Sequence, residues 1–166
     1  RAHARAGCMT VPMDKGSILK SGNRYDETVS ALQKAIRRGL EYEAMSYALD
    51  LSEAGHGALV WERLMTIAVE DVGLAKPEAA VLVNSLAQAW VWMARPETNL
   101  FALAIIELCR APKNRVADDL AYLMSLDRKD ATKKVPILPD AVDSHTARGK
   151  EQIREEAKRT GKDTFL

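Results

Sequence analysis

The stretch RYDETVSALQKAIRRGLEYEAMSYALDLSEAG, residues 24–55, decides the fold class. Asp26 stands where an N-cap is expected, after Tyr25. Val29, Leu32 and Ile36 then recur at helical spacing, and Gly39 supplies a C-terminal stop. A second helix is expected from about Glu41 to Ala54. It would turn Ala44, Met45, Ala48, Leu49 and Leu51 inward and stop at Gly55. Two short helices around one glycine turn make a helical hairpin.

Toward the C-terminus the same grammar repeats. Residues 58–72 carry Leu59, Leu64, Ile67 and Ala68 on one face, with Gly73 as the stop. Pro77 sits where the first helical turn accepts proline, because its missing N–H is unpaired there in any case. The helix it opens runs to about Met93, with Val81, Leu82, Leu86, Ala89 and Trp90 as packing candidates. Pro96 opens a fifth helix containing LFALAIIELC (100–109), apolar on most sides, and Pro112 breaks it. A sixth covers about 115–126. Alternating apolar patterns and Asn-Gly or Asp-Gly hairpin turns are absent from the sequence. The expected fold is all-α, a compact bundle of five to six helices. Leu64, Ile67, Leu103 and Ile106 are expected in its core.

Three regions follow. Residues 1–23 begin RAHARAG without a Met and read as a flexible lead-in, an expression remnant or part of a longer polypeptide, with Met9 or Met13 as possible native starts. Residues 24–127 form the helical body. Residues 128–166 read as an extended segment around VPILP (135–139) and a charged tail helix that must dock on the body.

The chain has 166 residues and a net charge of +1, unevenly distributed. The net charge is +4 over residues 1–24, −6 over 25–127 and +3 over 128–166. Such a balance disfavours a whole-surface nucleic-acid binder. Nine aromatic residues argue against a stacking platform for single strands. No apolar run reaches the ~20 residues of a membrane span. Cys8 and Cys109 give neither a disulfide framework nor a thiolate cluster, which suits a reducing cytoplasm.

Gly149-Lys150 and Gly161-Lys162 lack the glycine spacing and the Ser or Thr of a phosphate-cradling loop, so no cofactor is expected. Glu70 and Asp71 lie near the C-terminal end of the third helix, where acids oppose the helix dipole. They are either a metal or general-base site or, as favoured here, ties between helix ends that use backbone N–H groups and an arginine. With Gly73 and Pro77 they make a structural corner, in which Gly73 is expected in the left-handed conformation. Asp143 and His145 offer two metal ligands without a third, and a turn capping the tail helix is the simpler reading. Arg37, Arg38, Arg110, Lys113 and Arg115 gather near helix ends. Dipole compensation accounts for them, and phosphate-backbone contact is the functional alternative. Trp90 and Trp92 cannot share a helix face. One belongs to the core and one, with Met93, to a rim or interface.

RYDETVSALQKAIRRG (24–39), EAMSYALDLSEAG (43–55), ERLMTIAVEDVGLAKPEA (62–79) and RAPKN (110–114), in this order, resemble the C-terminal region of the RarA/MgsA family. These are clamp-loader-like AAA+ ATPases that include the Werner-helicase-interacting protein. AWVWMARPE (89–97) and the tail PILPDAVDSHTARGKE (136–151) depart from the family's pattern. The resemblance implies a collar-like helical domain that follows the ATPase motor, mediates oligomerisation and serves DNA replication, recombination or repair. The expected function is therefore a non-catalytic assembly module. Its expected partners are further copies of itself, with DNA or replication-fork proteins as further candidates. A small DNA-binding protein is the second reading, and an enzyme centred on Glu70, Asp71 or His145 the third.

Overall fold

The computed structural model describes residues 16–93 and 98–161. Among these residues there are seven α-helices: α1 (Tyr25–Arg37), α2 (Glu41–Leu51), α3 (Gly57–Ile67), α4 (Glu78–Trp92), α5 (Thr98–Arg110), α6 (Val116–Asp127) and α7 (Ala147–Thr160). Among the described residues there is no strand, only an isolated bridge between Ile18 and Arg24. The fold is all-α. The chain divides into two units, Arg1–Met124 and Ser125–Leu166.

In the first unit, α1 and α2 form the hairpin that the periodicity requires. Leu32, Ala35 and Ile36 of α1 meet Ala44, Ala48 and Leu51 of α2 in the core. Gly39 turns the chain with φ 75°. Gly55, at φ 89°, interrupts a π-type turn over Ser52–His56 and lets α3 begin at Gly57. Asp26 is not the cap of α1. The helix already includes Tyr25, and Asp26 lies in its first turn beside Arg24. Residues 16–24 are not a loose lead-in either. Leu19 is buried, and its N–H donates to the Asn23 carbonyl. One apolar residue among Gly and Ser is enough to anchor the hook.

Helix α5 touches α1, α2, α3 and α4. It buries Phe101, Ala104, Ile105 and Leu108, a clean i, i+3, i+4, i+7 face. Leu103 and Ile106, expected in the core, point outward at 56% and 36% exposure. Leu103 and Ile106 share the face of Asn99 and Arg110 (i, i+4, i+7, i+11), and the uninterrupted apolar run LFALAII (100–106) hides that polar stripe. Leu64 and Ile67 are fully buried as expected. The same phasing difficulty applies to α4, where Ala79 and Val83 are buried while Val81 and Leu82 face outward. Pro96 lies outside the described residues.

The second unit contains an irregular stretch, a single turn at Pro139–Ala141, and α7. Thr146 caps α7, its Oγ1 accepting the Gly149 N–H at 3.0 Å. Asp143 receives the His145 N–H at 2.9 Å and faces the His145 ring at 3.2 Å. This is the capping turn, and no cluster of three or more metal-binding side chains occurs among the described residues.

Candidate assembly surface

Asp71 organises the outer side of the first unit. It closes the π-type turn after α3 (Ala68–Val72), and its side chain is fully buried. A carboxylate there needs several donors, since burial without them would be costly. Arg37 Nε donates to Oδ1 at 2.9 Å, Arg115 Nη1 to Oδ1 at 3.1 Å, and Gln33 Nε2 to Oδ2 at 3.2 Å. The Asp71 backbone carbonyl also accepts the Asn114 N–H at 2.8 Å. The end of α1, the end of α3 and the start of α6 thus converge on one residue. Glu70 is half-exposed and takes no part in this clasp.

Gly73 completes the corner with φ 50° and ψ −128°. It has the expected positive φ but lies outside the left-handed helical region. Space here admits only glycine: a Cβ would stand 2.6 Å from the Asn114 carbonyl oxygen. Pro77 is the N-cap of α4, with helical φ −59° and ψ −30°, one position before the first helical turn in which the sequence reading placed it.

The clasp aims α6 without burying it. No α6 residue is buried. Arg115 is held on its inner side by Asp71 and on its outer side by Asp118. Val116, Leu120, Leu123 and Met124 all remain exposed. Their i, i+4, i+7, i+8 spacing places them on one face. The periodicity marked this helix, and what its sequence did not reveal is that the apolar face lacks a partner within the unit.

Trp90 and Trp92 divide as their spacing demands. Trp90 packs on the core, 6.3 Å between ring centroids from Phe101, with Gly57 beneath its ring. Trp92 is 83% exposed, beside exposed Val91 and Met93. Between α2 and α5 runs a shallow apolar groove of about 270 Å³, lined by Glu41, Tyr42, Met45, Ala102, Ile105 and Ile106.

The five cations of the sequence reading are mostly engaged. Arg37 and Arg115 hold Asp71. Arg110 forms a bidentate pair with Glu41, at 2.6 and 3.2 Å, and its hydrogen bond keeps the Glu41 carboxyl below the usual glutamate range. Lys113 caps α5, its Nζ donating to the carbonyls of Leu108, Cys109 and Ala111 at 2.8, 3.2 and 2.6 Å. Burial pulls its pKa below that of an ordinary lysine. Arg38 is exposed and forms no ion pair among the described residues. Cys109 is buried, which pushes its thiol up to about 11 and makes it a packing residue rather than a nucleophile.

The first unit is thus a helical body with exposed apolar faces and a clasped corner. The family described as MgsA AAA+ ATPase C terminal matches residues 42–158, and the chain belongs to that family. It is 38% identical over 99 residues to replication-associated recombination protein A of Bacillus subtilis, covering 59% of this chain and 24% of that protein. The protein of the same name from Haemophilus influenzae is 38% identical over 100 residues, 57% of this chain and 22% of its own length. An AAA domain-containing protein of Mycobacterium tuberculosis is 33% identical over 134 residues, 75% of this chain and 30% of its own length. The chain thus spans less than a third of each of these curated relatives. No helix among the described residues is long and apolar enough to cross a membrane.

Proposed function

We propose that this chain is a non-catalytic assembly module. It joins subunits through its exposed apolar faces and supports replication-associated recombination in the cytoplasm. The observation that carries this reading is the exposure of Trp92, Val91 and Met93 together with an α6 that buries nothing. Trp and Met are enriched in interface cores, and clustered exposed apolar side chains mark an interaction site. The names of the relatives supply the process. The test is sedimentation equilibrium across a wide range of protein concentrations. The expected result is mass above the 18.3 kDa of one chain, rising with concentration. A single 18.3 kDa species at high micromolar concentration would reject this function.

Phosphate contact by Arg37, Arg38, Arg110, Lys113 and Arg115 is the weaker reading, because four of the five already serve carboxylates or helix carbonyls within the chain. If DNA binding contributes, affinity for unrelated duplexes should fall steeply with salt. Arg38→Ala should then weaken it without loss of stability.

A further inference from the structure

We infer that residues 133–139, KKVPILP, form a linear recognition segment for a separate protein. The partner it fits carries a groove walled by aromatic side chains, with an acidic side chain at one end. This part of the chain has no role in the apolar faces described above. Its sequence sets the backbone first. Pro136 and Pro139 have φ fixed at about −65°, and the residue before each, Val135 and Leu138, is confined to extended backbone. Leu138 has φ −61° and ψ 141°, which is polyproline II geometry. Residues 133–138 belong to no helix, turn or strand, and Pro139 opens the short turn Pro139–Ala141 that ends the run. The N–H groups of Lys134, Val135 and Ile137 donate no hydrogen bond to the chain among the described residues. Ring and side-chain sterics alone keep the segment extended. Little freedom is then left to lose when a partner takes it up.

The spacing decides what is displayed. Polyproline II has three residues per turn, so Lys133, Pro136 and Pro139 share one edge while Val135 and Leu138 share the next. The two apolar–proline pairs, Val135-Pro136 and Leu138-Pro139, are presented in the same orientation roughly 9 Å apart. Val135, Ile137 and Leu138 are 83%, 73% and 65% exposed. Every residue from 128 to 141 is exposed, so none of these side chains serves a core. A plain spacer needs no apolar side chains, since Gly, Ser or charged residues span the same distance. Paired apolar–proline steps are what grooves lined by aromatic rings receive when they bind Pro-x-x-Pro segments.

Charge sets the polarity of the partner. Arg128, Lys129, Lys133 and Lys134 stand against Asp130 alone, which gives residues 128–134 four cations to one acid. Asp140 and Asp143 follow the second apolar–proline pair. The partner's acidic side chain therefore belongs at the N-terminal end of the segment, beside Lys133. Within the chain Lys133 is paired with Asp127, and both side chains are exposed. Such a surface pair is worth little, so a partner carboxylate can replace it.

The experiment uses the full chain and, as probe, a recombinant SH3 domain selective for ligands whose cation precedes the first apolar–proline pair. Calorimetric titration at low salt compares wild type, P136A/P139A and K133E, and a probe whose groove tryptophan is replaced by alanine. Circular dichroism should be the same for all three chains, because every altered side chain is exposed. The expected result is saturable binding of wild type, weakened roughly ten-fold or more by P136A/P139A, since loss of the anchoring contacts removes most of the affinity. K133E should weaken binding several-fold, and the probe without its tryptophan should not bind. Failure of wild type to bind at millimolar probe overturns the proposal. So does a P136A/P139A variant that binds as well as wild type, which would place the contact elsewhere on the chain. Sedimentation of the chain alone supplies the last arm. If P136A/P139A has a lower mass than wild type without the probe, the segment joins a second copy and the separate partner is overturned.

Discussion

Arg115 donates to the buried Asp71 carboxylate at 3.1 Å, and that bond ties the residue preceding α6 to the corner that ends α3. Arg37 reaches the same oxygen at 2.9 Å from the end of α1. The two arginines are about 40% exposed while the carboxylate is wholly buried. The asymmetry decides what mutation does. Removing Asp71 frees two cations that can return to water, whereas removing both arginines strands an anion.

Arg37→Gln and Arg115→Gln are therefore each expected to cost about 1.5–3 kcal/mol, the range for a hydrogen bond to a charged group. The double variant should reach or exceed about 3–5 kcal/mol, as for an unpaired buried charge. Urea titration of the four proteins checks this. A double variant no less stable than either single would show that Asp71 is not held by this pair.

Gly73→Ala should destabilise the chain by more than ~1 kcal/mol, because positive φ and a collision with the Asn114 carbonyl act together. Gly55 also has a positive φ, but no atom lies within 4 Å of its would-be Cβ. Gly55→Ala isolates the conformational cost and should be milder. Thermal unfolding of both variants separates collision from strain, and equal losses would remove the close approach as a cause.

Ile67→Ala should cost roughly 2–5 kcal/mol, since the side chain is wholly buried. Leu103→Ala should change stability by less than ~0.5 kcal/mol, because Leu103 faces outward. Comparable losses would mean that α5 is rotated from the phase described.

Trp90→Ala should lower stability by about 3–5 kcal/mol at most, tempered by its partial exposure, and leave assembly to follow folding. Trp92→Ala should leave the unfolding midpoint nearly unchanged and weaken self-association. Paired denaturation and sedimentation measurements decide between them, with equal effects on both properties contradicting the inward and outward assignment.

The Cys109 thiol, raised to about 11 by burial, should resist a disulfide reagent at pH 8 in the native protein and react at once in denaturant. A Cys8→Ser background isolates it. Because the native value lies above the ordinary thiol value of 9.0, its contribution to stability is full below about pH 9 and is lost as pH rises toward 11. Rapid native labelling at pH 8 would contradict the buried assignment.

What was legible in the sequence depended on contrast. Helices α1 and α3 alternate polar and apolar residues, so Leu32, Ile36, Leu64 and Ile67 announced their burial. Gly39, Gly55, Gly73 and Pro77 marked the ends, because positive φ and a missing N–H restrict where chains can turn. In α5 the contrast sits at the ends, in Asn99, Glu107 and Arg110, so the apolar run between them did not itself separate Leu103 and Ile106 from Phe101 and Ile105. The Asp71 clasp was half visible: an acid at a helix C-terminal end demanded a cation. Which cations answered, from positions 34 and 44 residues away, is a property of the packed chain rather than of any local pattern.

Those separations govern the order in which the domain comes together. Closing loops of 34 and 44 residues costs entropy before either bond returns anything, whereas the α1–α2 hairpin closes over a two- or three-residue turn. The arginine ties are therefore late contacts. Helix α6 gains its aim only after Leu32, Leu64 and Leu108 have left water. The exposed apolar face of α6 is thus held in place by a chain whose own core is already closed.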